Sequence, residues 1–569
     1  MAACTGEPFV GYAHQEDDGL CRPLLSICYL HLVLVQETRP FKHFIEEKLR
    51  GIVAMFGSSE KNAFDGDSKQ VSPPATEADH DMGSSVAYID KAAEKSYGPP
   101  FFQPSFVSIL TLLLLVRKLD FYLLPFLSLM YFFNSVDRSN LGNAKTDGMD
   151  KDLHFIGEEY SLLILLFYIP NGLCDLPLNM LTKKWSGKIM LPGLMVSWGA
   201  CALLQCAAYN FAGMVVLRLF LGAFEAGFFA GTVFYLTLFY TRGELGFRIA
   251  IFFGSALLAA AFSGLISYGV FQINDPQVQG WKFLFIIEGA MTVLIGTAAF
   301  WWLPATPSTA WFLTPAERAA ARARSLRDSS SSTGVEFSVR ECFQHWKTWK
   351  FFPWMVISFT YPVAFSTTAN FLPQIVARLG YSVVKTNLWT VAPNAVGFVF
   401  LLLVTYSSDR FRERTFHIVF ALLVSGVGMV ILATIDVLAN KGVAYFACFM
   451  MASGAYIPSC LVHSWHNNNN LNENSRAATT GLLVGLGNLG GILSAGTFRQ
   501  QYAPKYVPTL IATCCCNLVC IVFTLWLGGW MKMENRRRDR EMGEVIRPED
   551  IDTDELADGE RSAKWRYFT

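Results

Sequence analysis

Arg218 and Glu225 stand seven residues apart in a stretch that is otherwise apolar, Val215-Val-Leu-Arg218-Leu-Phe-Leu-Gly222-Ala-Phe-Glu225-Ala-Gly227. Seven residues is close to two helical turns, so on a helix the two share a face, roughly 10 Å apart, with Gly222 between them. An ionised side chain in mid-membrane costs at least about 2.5 kcal/mol, so it faces a cavity or a partner. A second pair, Asp137-Arg138, closes another apolar stretch, Asn134-Ser-Val-Asp137-Arg138-Ser139-Asn140. Neighbours on a helix point about 100° apart, so these two must look to different partners. Arg grips a carboxylate in a planar fork, and a carboxylate desolvated beside a cavity can hold a proton. These are the parts of a proton-coupled anion carrier: Arg138 and Arg218 for the anion, Asp137 and Glu225 for the proton. The competing readings are structural: a salt-bridge set between helices for Arg218 and Glu225, and an interfacial pair at a helix end for Asp137 and Arg138. Tyr168, Asn370, Asn394, His463, Trp465 and Asn488 are the further polar residues expected to line a cavity.

The elements that must position these residues are membrane helices. The chain has 569 residues, 52% hydrophobic and 16% charged, against about one quarter charged in a soluble chain. Mean hydropathy is +0.32. A water-soluble globule of this length needs more polar surface than that composition supplies. From Leu119 onward, apolar segments of spanning length, about 20 residues each, alternate with short polar loops. Spans are expected near 121–141, 160–178, 192–209, 214–239, 249–271 and 282–303. A second set is expected near 352–376, 386–407, 416–434, 442–463, 478–498 and 508–530. In lipid each span must satisfy its own backbone hydrogen bonds, so the spans are helices. The expected fold class is all-α integral membrane, with twelve transmembrane helices in two six-helix bundles. The bundles cover 117–303 and 352–530, joined by a cytosolic linker at 304–351 and followed by a cytosolic tail at 531–569.

Residues 1–104 differ from the rest. Gly57 to Pro100 is rich in Ser, Asp, Glu, Lys and Pro and has no apolar period, so it reads as disordered and cytosolic. The earlier apolar run Pro23–Val35 is too short to span, and it lacks the flanks of a signal peptide.

Orientation follows from Lys and Arg. Lys183, Lys184 and Lys188 follow span 2, Arg242 and Arg248 follow span 4, and Arg410, Arg412 and Arg414 follow span 8. The linker and tail are basic too, whereas the opposite loops are poorer: Asn210–Gly213 has no charge, and the 1–2 loop balances Lys145 and Lys151 with Asp147, Asp150, Asp152, Glu158 and Glu159. Both termini and the linker are therefore expected in the cytosol, and the plasma membrane is the expected location. Thr314-Pro315-Ala316-Glu317 is a capping box with Pro at the first helical position, opening a basic linker helix to about Leu326. Small residues mark close helix contacts: Gly227 and Gly231 in span 4, Ser255, Ala259 and Ser263 in span 5, and Gly481, Gly485, Gly487 and Gly491 in span 11.

Several chemistries are excluded. The net charge is zero, so no bulk field argues for nucleic acid. The 13 Cys lie mostly in apolar runs, without zinc spacing or a disulfide framework. His463 and His466 have no nearby third ligand, so no metal is expected. The Asn467–Asn470 run after them reads as a polar cytosolic loop. No organic cofactor is implied. A membrane enzyme would need a nucleophile–base set or a metal cluster, and neither is found.

Asp137-Arg138-Ser139-Asn140-Leu141-Gly142-Asn143-Ala144 resembles the first-helix signature of the anion:cation symporter branch of the major facilitator superfamily. Arg218-Leu-Phe-Leu-Gly-Ala-Phe-Glu225-Ala-Gly-Phe-Phe resembles that branch's fourth-helix signature. Phe239-Tyr-Thr-Arg242-Gly-Glu244 with Arg248, Gly280-Trp281-Lys282 with Glu288-Gly289, and Asn370-Phe-Leu-Pro373-Gln374-Ile match further. Ser408-Asp409-Arg410 with Arg414 resembles the superfamily's second-half loop signature. The resemblance spans about 117–540 and is strongest to the fungal allantoate-permease-like group, whose members take up carboxylates such as nicotinate, pantothenate, allantoate and tartrate. The loop Asn179-Met-Leu-Thr-Lys183-Lys184-Trp-Ser-Gly187 lacks the superfamily's Asp-Arg, as this branch often does.

The resemblance implies the major facilitator fold and rocker-switch transport. The expected protein is a monomeric, proton-coupled importer of a small organic anion in a lipid bilayer. Arg218, Arg138, Asn370, Tyr168 and Asn394 would bind substrate, and Asp137 and Glu225 would carry protons. Asp409, Arg410 and Arg414 would gate the cytoplasmic side. An exporter of an acidic metabolite on the same scaffold and a non-transporting nutrient sensor are the alternatives.

Overall fold

The computed structural model describes residues 106–569, apart from 158, 274–277, 329–335, 378, 380–382, 498–501, 503–504, 549–550, 552–555 and 557–558. The expectations for 1–104 fall outside the described residues. All described secondary structure is helical. The first six membrane helices are α1 Leu114–Lys145, α2 Leu162–Trp185, α3 Gly187–Ala207, α4 Phe211–Thr237, α5 Arg242–Ser267 and α6 Gly280–Trp302. The second six open with α7, Phe351–Ala377. They continue with α8 Trp389–Phe411, α9 Thr415–Thr434, α10 Lys441–Asn468, α11 Glu473–Ser494 and α12 Val507–Met542. Eleven are long and apolar enough to cross a membrane, and α7 has no charged residue in its 27.

The ends of two helices differ from the hydropathy reading. The helix that enters α1 begins at Phe106 and is interrupted at Leu123, just ahead of Pro125, because the proline nitrogen has no hydrogen to donate. α12 runs about three turns past its expected end. Glu534 pairs with Arg537 and Arg538 at 2.8 and 2.9 Å, and such spacings support a helix that has left the apolar layer. Gly543, at φ 71°, closes it in the left-handed conformation.

Two further interruptions bear on the site. α4 breaks at Ala226–Gly227 between helical segments Phe211–Glu225 and Phe228–Thr237, with Gly227 at φ 75°. α10 breaks at Tyr456, ahead of Pro458. Each is the fourth helix of its set, and broken helices in corresponding positions of two halves are where transporters free backbone groups for ligands.

The two sets meet along α2 with α11 and along α5 with α8. A Cβ at Gly481 would lie 2.9 Å from the Asp175 carbonyl oxygen, so α2 and α11 run in backbone contact. Within the first set, Ser263 on α5 bonds Ser139 and Asn143 of α1 at 2.6 and 2.7 Å.

The basic loops after α2, α4 and α8 fall at one end of the bundle, called here the basic end. There Arg248 holds both oxygens of Asp120 at 2.9 Å. Lys183 on α2 meets Glu473 on α11 at 2.9 Å, and Arg324 pairs with Glu244. The capping box forms: Glu317 Oε2 accepts from Thr314 N at 2.9 Å, and Glu317 N donates back to Thr314 Oγ at 3.4 Å. It opens the linker helix Pro315–Asp328. Lys118 binds the same carboxylate at 2.7 Å and, with the Thr314 amide, holds it below the usual carboxylate range.

Candidate functional site

A cavity with about 530 Å³ of space between atoms, part of it open to solvent, lies between the two bundles. The first bundle contributes Tyr131, Asn134 and Arg138 from α1, Asn171 and Asp175 from α2, and Glu225, Phe229 and Phe253. The second contributes Tyr361 and Phe365 from α7, Ser459 and His463 from α10, and Asn488 from α11.

Arg138 reaches into this space with its side chain 29% exposed, and its Nε pairs with Oε1 of the fully buried Glu225 carboxylate. Its guanidinium carbon lies 5.5 Å from the Phe167 ring centroid. Among the described residues, the hydrogen bond that Arg138 makes is the one from Nε–H to Glu225, and a guanidinium carries four further donors. Glu225 ends the first segment of α4, immediately before the break. The break frees the Gly227 amide, which donates to Asp175 Oδ1 at 2.7 Å. The other Asp175 oxygen accepts from Asn488 Nδ2 at 2.7 Å, across the bundle interface. A Cβ at Gly227 would meet Leu178 Cβ at 2.7 Å, so both the φ angle and the space require glycine.

A second polar set lies inside the first bundle, apart from the cavity lining. Asp137 Oδ2 accepts from Trp198 Nε1 at 3.2 Å and from Thr292 Oγ at 2.9 Å. Asp137, Arg218 and Glu288 are each 2% exposed. Each lies about one turn from Leu141, Met214 or Phe285, which pack in one apolar cluster. Arg218 Nε and Nη2 and both Glu288 oxygens have no hydrogen-bond partner among the described residues.

A sequence pattern described as Major Facilitator Superfamily matches residues 127–495. The chain belongs to the major facilitator superfamily. It is 59% identical over 506 residues to the major facilitator-type transporter hxnP of Emericella nidulans, covering 88% of this chain and 99% of that one. It is 52% identical to the MFS-type transporter efuF of Hormonema carpetanum, covering 79% and 91%. The proton:xylose symporter XylE shares the fold at 13% identity and TM-score 0.59, covering 72% of this chain and 96% of that chain. FucP in the outward conformation aligns at 14% identity and TM-score 0.52, covering 71% and 99%. The protein is a multi-pass membrane transporter of this superfamily, and not an enzyme.

Of the residues singled out from sequence, Arg138, Glu225, His463 and Asn488 line the cavity. Asp137 and Arg218 are sealed in the first bundle. Asp137 and Arg138 do diverge, as adjacent helical residues must. Tyr168 packs against Gly491 at the bundle interface. Asn394 is buried and donates to Thr390 O of its own helix at 3.1 Å. The side chain of Asn370 lies outside the described residues. Trp465 is fully buried near the basic end and not in the cavity.

At that end Asp409 accepts from Phe247 N of α5 at 2.6 Å and pairs with the buried Arg414 at 2.5 Å, while Arg410 is exposed. The expected loop at Asn467–Asn470 is a correction. All four side chains are at most 4% exposed, and α10 stays helical to Asn468. The amides of Asn467, Asn469 and Asn470 bond backbone and side-chain groups of this end, so polarity there signals partners and not solvent, whereas the buried Asn468 amide has no hydrogen-bond partner among the described residues.

Asp175 and Tyr361 lie at the site without a sequence expectation, and Glu288 enters that expectation only within a motif. Asp175 and Glu288 carry the same signal as Arg218, a charge inside an apolar span. His463 Nε2 and the Tyr361 hydroxyl lie 2.9 Å apart, a contact without a sequence signature.

Proposed function

We propose that this transporter imports a small organic anion coupled to protons, by alternate opening of its two ends, with the basic end in the cytosol of the plasma membrane. The observation that carries the reading is the Arg138–Glu225 pair at the cavity wall. An incoming carboxylate competes with Glu225 for Arg138. Displaced, Glu225 becomes an unpaired buried carboxylate, a state that costs about 3–5 kcal/mol when one partner of a buried pair is removed. Taking a proton removes that cost. Anion binding and proton binding therefore favour each other, which is symport. Arg138 is the anion-gripping residue in this reading, and Glu225 carries the proton. Asp137, Arg218 and Glu288 form a reserve of buried charge behind them. The walls suit a compact carboxylate with an apolar body, since Phe229, Phe253 and Phe365 line them together with Asn134, Asn171 and Asn488. Proton coupling and carboxylate recognition also agree with the resemblance to the allantoate-permease-like group.

The test uses purified protein in vesicles, with labelled nicotinate, pantothenate, allantoate and tartrate at acidic and neutral external pH. One of these is expected to accumulate under an inward proton gradient. Glu225→Gln, fixed in the protonated shape, is expected to exchange that compound but not to accumulate it. A well-folded Glu225→Gln protein that still accumulates against a gradient sinks the proton assignment and moves it to Asp137. Binding without any exchange in the unmodified protein points to the sensor reading instead.

A further inference from the structure

After α12 the chain folds back, and residues 559–569 seat on the basic end. Sequence alone shows a charged tail with an aromatic finish, Trp565-Arg566-Tyr567-Phe568-Thr569. In the structure Trp565, Arg566, Tyr567 and Phe568 are at most 3% exposed. Two asparagines hold the backbone. Asn535 on α12 donates to Tyr567 O and accepts from Tyr567 N, each at 2.9 Å. Asn469, at the end of α10, does the same for Phe568, each at 2.9 Å. A side-chain amide offers a donor and an acceptor side by side, as a peptide does, so the two asparagines stand in for rungs of a β-ladder. Trp465 Nε1 adds a bond to Phe568 O at 2.8 Å, and Arg414 N one to Thr569 O at 2.5 Å. Lys350 binds Glu560 at 2.8 Å and the Tyr567 hydroxyl at 3.1 Å. All these partners belong to the second bundle or to the linker end that leads into it.

One residue of the first bundle joins them. Arg242, at the start of α5, places its guanidinium carbon 5.1 Å from the Trp565 ring centroid and 5.1 Å from that of Phe568. It is 4% exposed, and its Nη2 donates to Pro548 O at 3.3 Å. Two desolvated rings on one guanidinium form a strong cation–π arrangement. We propose that residues 559–569 are a latch of the basic-end gate, in which Trp565 and Phe568 are the positioning residues that hold Arg242 and so bias the two bundles towards contact at this end. The latch is seated on one bundle and grips the other. Opening this end requires Arg242 to leave the two rings. The Asp409–Phe247 and Lys183–Glu473 ties remain, so the latch biases the gate without locking it. The inference rests on alternate opening of the two ends and is independent of which anion is carried.

The test reads the gate directly, on full-length protein in lipid nanodiscs. Spin labels are attached at the exposed positions 184 and 411, one on each bundle at the basic end. Label-reactive unnatural amino acids are used, because the chain has 13 Cys. The unmodified protein is expected to show a dominant short distance and a minor long one. Trp565→Ala/Phe568→Ala is expected to raise the long-distance population about tenfold, the scale of two lost cation–π contacts. Arg242→Gln leaves the asparagine seat intact and is expected to raise it equally. Combining all three should add nothing further. An unchanged distance distribution in both variants overturns the latch, even if their melting temperatures fall, since packing alone would explain the latter. Additive effects in the combined variant overturn it as well. A single distance in every protein, the unmodified one included, overturns the latch together with the alternating-access reading.

Discussion

The two bundles divide the labour unevenly. Every ionisable carboxylate and guanidinium described in the membrane interior belongs to the first: Asp137, Arg138, Asp175, Arg218, Glu225 and Glu288. The second bundle's share of the cavity is neutral or aromatic, with Tyr361, Phe365, Ser459, Asn488 and the buried His463. Its buried charges Arg414, Glu473 and Arg476 sit at the basic end, beside Asp409. The contrast separates two tasks. On the proposed mechanism, charge that binds or titrates is held in one rigid body, so that its partners stay in register while the other body moves. The moving partner can then supply shape and a few hydrogen bonds at low electrostatic cost. Asp175 is where the two meet, bonded on one side to the broken α4 and on the other to Asn488.

The sharpest way to break the comparison is to exchange its two arginines. Arg138→Lys keeps the charge but loses the planar fork. Its half-saturation concentration is expected to rise by about 10- to 100-fold, the scale of one or two charge-assisted hydrogen bonds, with thermal stability retained. Arg218→Lys, inside the first bundle, is expected to lower stability first. A stable Arg218→Lys protein that has lost binding would return the anion site to Arg218.

Next in size is the bond that joins the charged half to the neutral one. Asn488→Ala leaves Asp175 Oδ2 without its partner, and a hydrogen bond to a charged group contributes about 1.5–3 kcal/mol. Purified protein should melt at a lower temperature, and Asn488→Asp, which sets two carboxylates together, should do worse. Equal melting of Asn488→Ala and the unmodified protein would show that the interface does not depend on this contact.

A smaller effect is expected in the second bundle. His463→Gln keeps a donor and an acceptor near Tyr361, and uptake should change less than about tenfold, the scale of one neutral hydrogen bond. Its dependence on external pH should be unaltered. A flattened pH profile in that variant would move a titrating group into the neutral half and end the division of labour.

The smallest effect concerns the linker that joins the bundles. Hydrogen bonds from Asn474 and Asn472 hold the Glu341 carboxylate below its ordinary range. A depressed carboxylate stabilises the docked linker above its free value, near about 4.3. That contribution is lost as pH falls through the lower, docked value. Hydrogen exchange in 336–350 should therefore quicken only in acid, and Glu341→Gln should remove that acid dependence.

The sequence by itself determined what each segment must avoid. Apolar length and loop charge specify the twelve helices and the end where basic residues gather, because lipid excludes unpaired backbone and charge from every span alike. The capping box at Thr314 and the divergence of Asp137 from Arg138 were legible for a similar reason, since both follow from local helical geometry. Only the tertiary structure decided which partner each charge takes. Arg218 and Arg138 carry the same signal in sequence, yet one is sealed inside a bundle and the other meets the cavity. The Asp175–Asn488 bond joins residues 313 apart. The Asn467–Asn470 run and the aromatic finish at Trp565–Thr569 look like solvated ends until they are placed against each other. A one-dimensional pattern records the cost of exposing a group, but its partner is chosen by helices that meet only when the chain has packed.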